Sequence, residues 1–202
     1  MPLYLYIFEP RYKRMINECL RDSRPFGVIL IRSGSDVGPG AVIHPVGTAA
    51  YITHVKPLHN GEMNIAAVGQ SRFRVVETHN RNPYLTGLVE DFPLESVEDP
   101  RTQMMAQRMA PLVRKYCDIY NTIGEVEIPV DKIPDDPTML AYLTAIVLNV
   151  PTEDKQRLLE VDSLASLLRL ERNLLSREAA LLKHMVENGP RWRDESNLFS
   201  PN

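Results

Sequence analysis

The chain changes its hydrophobic period once, near residues 91–100, and that single change limits the folds open to it. Before that point short apolar runs alternate with period two and are broken by Gly, Pro and Asn. After it, apolar residues recur at helical spacing. The stretch from Asp91 to Pro100 is acidic, carries Pro93 and Pro100, and reads as a linker between two regions. Strands and helices are therefore segregated along the chain, which predicts an α+β protein rather than an alternating α/β one. At 202 residues it can bury one large core or two modest ones.

The first half predicts about six strands and one helix. Leu3-Tyr-Leu-Tyr-Ile7 alternates cleanly, with Leu3, Leu5 and Ile7 on one face. A helix follows at Pro10, which suits a first helical position because its missing N–H has no partner there anyway. Glu9 stands where the helix dipole favours an anion. Tyr12, Met15, Ile16, Cys19 and Leu20 then form one apolar stripe, and Pro25 stops the helix. Phe26–Ile31 is a near-continuous apolar run and predicts a strand buried on both faces. Residues 33–40 read as a loop, Thr48–Val55 and Met63–Val68 as strands joined by an Asn60-Gly61 turn, and Gly69-Gln70-Ser71 as a tight turn. Phe73–Glu77 and Tyr84–Glu90 complete the set, a composition that suits a small barrel or pseudobarrel.

The second half predicts four helices: residues 101–121 with Pro111 inside, 137–149, one opened by Thr152, and one from about 162 to Gly189. Along the last, the pairs Leu167/Leu168, Leu174/Leu175 and Leu181/Leu182 repeat every seven residues, the seam of a bundle helix or a coiled coil. The domain expectation is a β-rich unit over 1–92, a linker over 93–100, a helical bundle over 101–189 and a polar, mobile tail over 190–202.

The sequence carries few candidates for chemistry. The sequence has no phosphate loop, no dinucleotide fingerprint and no nucleophile elbow. The five histidines are scattered, Cys19 and Cys117 have no histidine at ligand spacing, and no metal or cofactor is expected. Both cysteines sit in apolar helical contexts and read as buried free thiols. Carboxylate pairs such as Asp135-Asp136 lie at helix starts, where capping explains them. A formal charge of −3 supplies no field for nucleic acid. Arg72-Phe73-Arg74 alternates basic and aromatic, but in a strand Phe73 faces away from both arginines and reads as a core anchor. No signal peptide and no apolar run of membrane-spanning length is visible, so the expected compartment is the cytoplasm.

Several segments together resemble the N-terminal, substrate-recognition domain of the Lon proteases. They are Leu5-Tyr-Ile-Phe-Glu-Pro-Arg-Tyr12, Phe26-Gly-Val-Ile-Leu30, Val46-Gly-Thr48, Met63-Asn-Ile-Ala66, Gly69-Gln-Ser-Arg-Phe-Arg-Val75 and Asp154-Lys-Gln-Arg-Leu-Leu-Glu160. The resemblance runs from residue 3 to about 187. It implies a PUA-like β-pseudobarrel with one inserted helix, followed by a helical bundle. It also implies a non-enzymatic module that binds unfolded or tagged polypeptides, or a partner protein. The motif positions Phe8, Glu9, Arg11, Tyr12, Gly47, Thr48, Gly69, Arg72 and Phe73 are then expected to serve the fold. Phe8 and Tyr12 would pack the helix on the sheet, and Glu9 with Arg11 would fix its start. Gly47 and Gly69 would stand where a Cβ does not fit. The resemblance is to a free-standing copy, without ATPase or protease domains. The family usually carries a further leucine- and proline-rich strand ahead of the segment starting at Met1. Either the true start lies upstream or that strand is lacking, which would leave an open strand edge. Homodimerisation through such an edge or through the leucine-rich last helix is a further expectation. An RNA-binding accessory role, by PUA-like analogy, is the alternative.

Overall fold

A computed structural model describes residues 2–34, 40–123, 128–130 and 133–188. The chain divides into two compact units, Met1–Glu95 with Thr152–Asp162, and Ser96–Pro151 with Ser163–Asn202. One helix of the second half therefore groups with the strands, where the expectation is a β-rich unit over 1–92 and a helical bundle over 101–189. The expected tail over 190–202 lies outside the described residues.

The first unit contains strands β1 (Pro2–Ile7), β2 (Phe26–Val28), β3 (Ile31–Ser33), β4 (Val42–Ile43), β5 (Val46–Pro57), β6 (Met63–His79) and β7 (Thr86–Asp91). It also contains α1 (Pro10–Arg21) and α4 (Thr152–Glu160). All pairings are antiparallel. The main sheet runs β1-β6-β5-β2 with β7 also on β6, and β3-β4 form a separate ribbon. β5 occupies one edge of β6 along Met63–Arg74, so β1 and β7 lie end to end along the other. Among the described strands β1 pairs with β6 alone, which leaves its outer edge unpaired.

The core follows from period-two alternation. Ile7, Phe26, Ala50, Met63, Ile65 and Ala67 point to one side of the sheet, where Ile16 of α1 is fully buried among them. Tyr12, Met15 and Cys19 pack against the same cluster from the helix. Leu20, expected in that stripe, is exposed instead. Pro10 occupies the first turn of α1, and Arg11 Nε donates to Glu9 Oε2 at 2.8 Å across its start.

Two strand expectations fail. Phe26–Ile31 is two short strands rather than one, and apart from Phe26 its residues are not buried. Gly69-Gln70-Ser71 is no turn, because β6 runs unbroken through it. Gly69 pairs with Ala50 and Ser71 with Ala49, so Gln70 is an extra residue in a bulge. Glycine inside a strand signals a bulge as readily as a turn, and only the partner strand distinguishes them. Asn60-Gly61 does turn the chain, both residues taking positive φ.

The second unit holds α2 (Pro100–Ile123), α3 (Pro137–Val147) and α5 (Leu164–Asn188). Met109, Val113 and Tyr116 of α2, Leu140 and Ala141 of α3, and Leu164, Leu167, Leu168, Leu174 and Leu175 of α5 form its interior. The α5 seam is buried through its first two leucine pairs, while Leu181 of the third is exposed. The α2 helix continues through Pro111. Asp136 caps α3, its Oδ1 accepting from the Met139 N–H at 2.8 Å.

Candidate functional site

The solvent face of β1, β6 and β5 carries an unusual set of side chains. Because Leu3, Leu5 and Ile7 turn inward, Tyr4, Tyr6 and Phe8 are forced outward, and they are 77%, 52% and 53% exposed. Leaving three aromatic rings in water forgoes burial that is worth about 1.5–3 kcal/mol for a side chain such as Phe. Tyr6 and Phe8 stack on each other with centroids 5.4 Å apart. The Tyr6 hydroxyl donates to Glu62, and that carboxylate holds the phenol above its ordinary pKa.

Register fixes what stands opposite. Tyr4 pairs with Ala66, which pairs with His54; Tyr6 pairs with Asn64, which pairs with Lys56. Two rows thus cross the three strands with their side chains on one face. Ala66 and Asn64 form a low floor between an aromatic wall on β1 and a basic wall on β5. Two interstrand spacings separate the walls, about 9–10 Å. The result is an open groove of about 420 Å³ lined by these six residues with Leu5 and Ile65. A third row, Pro2-Val68-Tyr51, continues the face and adds another exposed tyrosine.

A bulge builds the basic wall. Ile52 pairs with Ala67 and His54 with Ala66, so Thr53 is an extra residue, its hydroxyl donating to the Ala66 carbonyl at 3.1 Å. That one insertion lets Ile52 and Val55 both pack on the core while His54 and Lys56 both face the groove. Among the described residues neither His54 nor Lys56 has an ion-pair partner.

The motif residues fall into two clusters, neither in this groove. Glu9, Arg11 and Tyr12 set the start of α1, with the Arg11 guanidinium 4.4 Å from the Tyr12 ring centroid. Phe8 was expected to anchor that helix to the core and does not. It follows inward-facing Ile7, so strand alternation turns it out to stack on Tyr6. Gly47, Thr48, Gly69, Arg72 and Phe73 meet at the far end of the sheet. Gly47 pairs with Phe73 and Thr48 with Arg72. A Cβ on Gly69 would lie 2.7 Å from the Thr48 methyl.

Arg72 is buried and binds α4: its Nη1 donates to the carbonyls of Leu159 at 2.8 Å and Val161 at 2.6 Å. Those are carbonyls at the helix C-terminus, where an intrahelical partner is missing and the dipole is negative. Gln156 adds a bond to the Val46 carbonyl at 3.0 Å and one to Glu160 Oε1 at 2.8 Å, and His44 Nδ1 lies 2.9 Å from the same Glu160 oxygen. Arg72 and Arg74 both lie over Phe92, at 4.6 and 4.3 Å from its centroid, on the face away from Phe73.

Cys19 and Cys117 are free, and burial pushes both thiols up. A raised thiol pKa leaves little thiolate and so little nucleophile. Among the described residues no helix is long and apolar enough to cross a membrane, and no three His, Cys, Asp or Glu side chains cluster to hold a metal.

The fold has relatives. The family described as the ATP-dependent protease La (LON) substrate-binding domain matches residues 1–177, and the chain belongs to it. Its relatives include the Lon protease of Anaeromyxobacter dehalogenans (strain 2CP-C), 31% identical over 173 residues, 84% of this chain and 20% of that one. Lon protease 2 of Myxococcus xanthus is likewise 31% identical, over 84% of this chain and 21% of its own length. The chain thus spans about a fifth of these relatives. The crystal structure of a Lon N-terminal domain protein from Xanthomonas campestris aligns with a TM-score of 0.57 at 22% identity, covering 87% of this chain and 89% of that one. The N-terminal domain of the Mycobacterium avium complex Lon protease aligns at 0.64 and 16% identity, over 87% and 90% of the two chains.

Proposed function

We propose that this protein is a non-catalytic recognition module that holds extended stretches of unfolded or tagged polypeptide on the exposed face of β1, β6 and β5. The observation that carries this reading is the exposed aromatic series Tyr4, Tyr6 and Phe8. Large rings kept in water on a rigid strand favour a role in contact over a role in folding. Membership of a substrate-binding family supports a polypeptide as occupant. An extended chain repeats its side chains every two residues, the same interval at which these rings stand. Free thiols at Cys19 and Cys117 suit work in the cytoplasm. RNA is a poorer fit. Arg72, one of the two arginines of the basic-aromatic alternation, is engaged with the carbonyls of α4.

The test is a binding titration of a fluorescently labelled, permanently unfolded protein against the wild type and a Tyr4→Ser/Tyr6→Ser double variant. Both rings are exposed, so the variant should keep its melting temperature and lose most of its affinity. Unchanged affinity would move the site elsewhere and end this reading. Purified chain should neither hydrolyse ATP nor cleave the unfolded protein. Either activity, abolished by a mutation in this chain, would contradict a non-catalytic role.

A further inference from the structure

We infer that the groove selects extended segments in which apolar and acidic residues alternate. The inference rests on the polypeptide-binding reading and goes further, naming the sequence pattern bound. Its basis is that the two walls differ in chemistry while the floor sets a shared register. On the β1 side stand Tyr4 and Tyr6, one row apart, with Glu62 held at the Tyr6 end by the Tyr6 hydroxyl. On the β5 side stand His54 and Lys56 in the same two rows. Among the described residues Lys56 has no carboxylate partner, so it meets the groove as an uncompensated cation.

An extended chain laid along the floor sends successive side chains to opposite sides. The methyl of Ala66 lets its backbone approach closely, and the Asn64 side chain offers both a donor and an acceptor to its peptide groups. The rows are two residues apart on β6 and two residues apart on any extended ligand, about 6.6–6.8 Å in each case. Residues i and i+2 then lie over Tyr4 and Tyr6 while i+1 faces the basic wall. Apolar side chains at i and i+2 cover the rings. A carboxylate at i+1 pairs with Lys56 and is kept from the other wall by Glu62. A basic residue at i+1 meets Lys56 and is repelled.

Three labelled peptides of equal length test this by fluorescence anisotropy with the whole protein: one alternating apolar with Glu, one with every Glu replaced by Lys, and one with the Glu-peptide composition rearranged into an apolar block and an acidic block. The alternating Glu peptide should bind about fivefold or more tighter than the Lys peptide, with the gap narrowing in high salt. The block peptide should bind more weakly than the alternating one. Lys56→Gln should flatten the Glu-over-Lys preference, and Lys56→Glu should invert it. Lys56 is exposed, so both variants should melt with the wild type, and the Gln variant stands if the Glu variant folds poorly. Equal binding of the Glu and Lys peptides, or a preference that survives both Lys56 variants, overturns the inference. If that happens while Tyr4→Ser/Tyr6→Ser still abolishes binding of unfolded protein, polypeptide recognition stands without this selectivity. If no peptide and no unfolded protein binds, both readings fall.

Discussion

Gly47 faces Phe73 across the β5–β6 pairing so closely that a Cβ on Gly47 would lie 2.6 Å from Phe73 Cζ and 2.7 Å from the Val28 carbonyl oxygen. The backbone there is ordinary and the restriction is one of space: the ring fills the room a side chain on Gly47 would need, with Gly27 3.1 Å from it by the same measure. Gly47→Ala should therefore destabilise the first unit by overpacking, by about 1–3 kcal/mol in urea titration. Phe73→Leu should relieve part of that cost when the two are combined. Strict additivity would show that the ring is not what the added methyl meets.

Ile16 and Phe8 should respond oppositely to truncation. Ile16 is fully buried at the centre of the sheet–helix core, so Ile16→Ala should cost about 2–5 kcal/mol. Phe8 loses only a stack against Tyr6, and Phe8→Ala should cost about 1 kcal/mol or less. Denaturant midpoints measured side by side decide it. A loss at Phe8 as large as at Ile16 would place that ring in the core after all.

Arg72→Gln should loosen α4 before it unfolds the sheet. The two bonds from Nη1 to Leu159 and Val161 are charge-assisted, and losing even one is worth about 1.5–3 kcal/mol. Amide hydrogen exchange along Thr152–Glu160 should speed up far more than exchange in β6. Equal acceleration of both would mean that helix and sheet open as one.

Glu18 should titrate below an ordinary glutamate. Its carboxyl is lowered first by the hydrogen bond from Arg14 and then by that from the Tyr84 hydroxyl. A lowered folded-state pKa means that this contribution is complete above the unfolded pKa and is lost as pH falls through the folded one. Carboxyl-carbon NMR titration should show Arg14→Gln raising the Glu18 value more than Tyr84→Phe does. The reverse order would make the phenol the main partner.

Polypeptide binding should leave the outer edge of β1 exchanging as before, because the groove lies on the sheet face over β6. Protection of β1 amides on adding unfolded protein would mean that the ligand extends the sheet at its unpaired edge instead. Protection that rises with protein concentration alone would mean pairing between copies.

Local pattern made much of this molecule legible. All four helices of the second half are found close to their expected spans, because amphipathic spacing, Pro at a helix start and capping Asp136 act within a few residues. The Leu3–Ile7 alternation puts Tyr4, Tyr6 and Phe8 on one face, a phase that turns Phe8 away from the core. What stayed hidden depends on partners distant in sequence. The bulges at Gln70 and Thr53 exist only as counts of one strand against another, and the Thr53 bulge decides that His54 and Lys56 face outward beside Ala66 and Asn64. The membership of α4 in the first unit rests on Arg72 and Gln156 reaching carbonyls across more than eighty residues of chain. Hydrophobic period dictates which face of an element is buried. Cross-strand register, which no local window contains, decided which exposed side chains became neighbours and so where the groove lies.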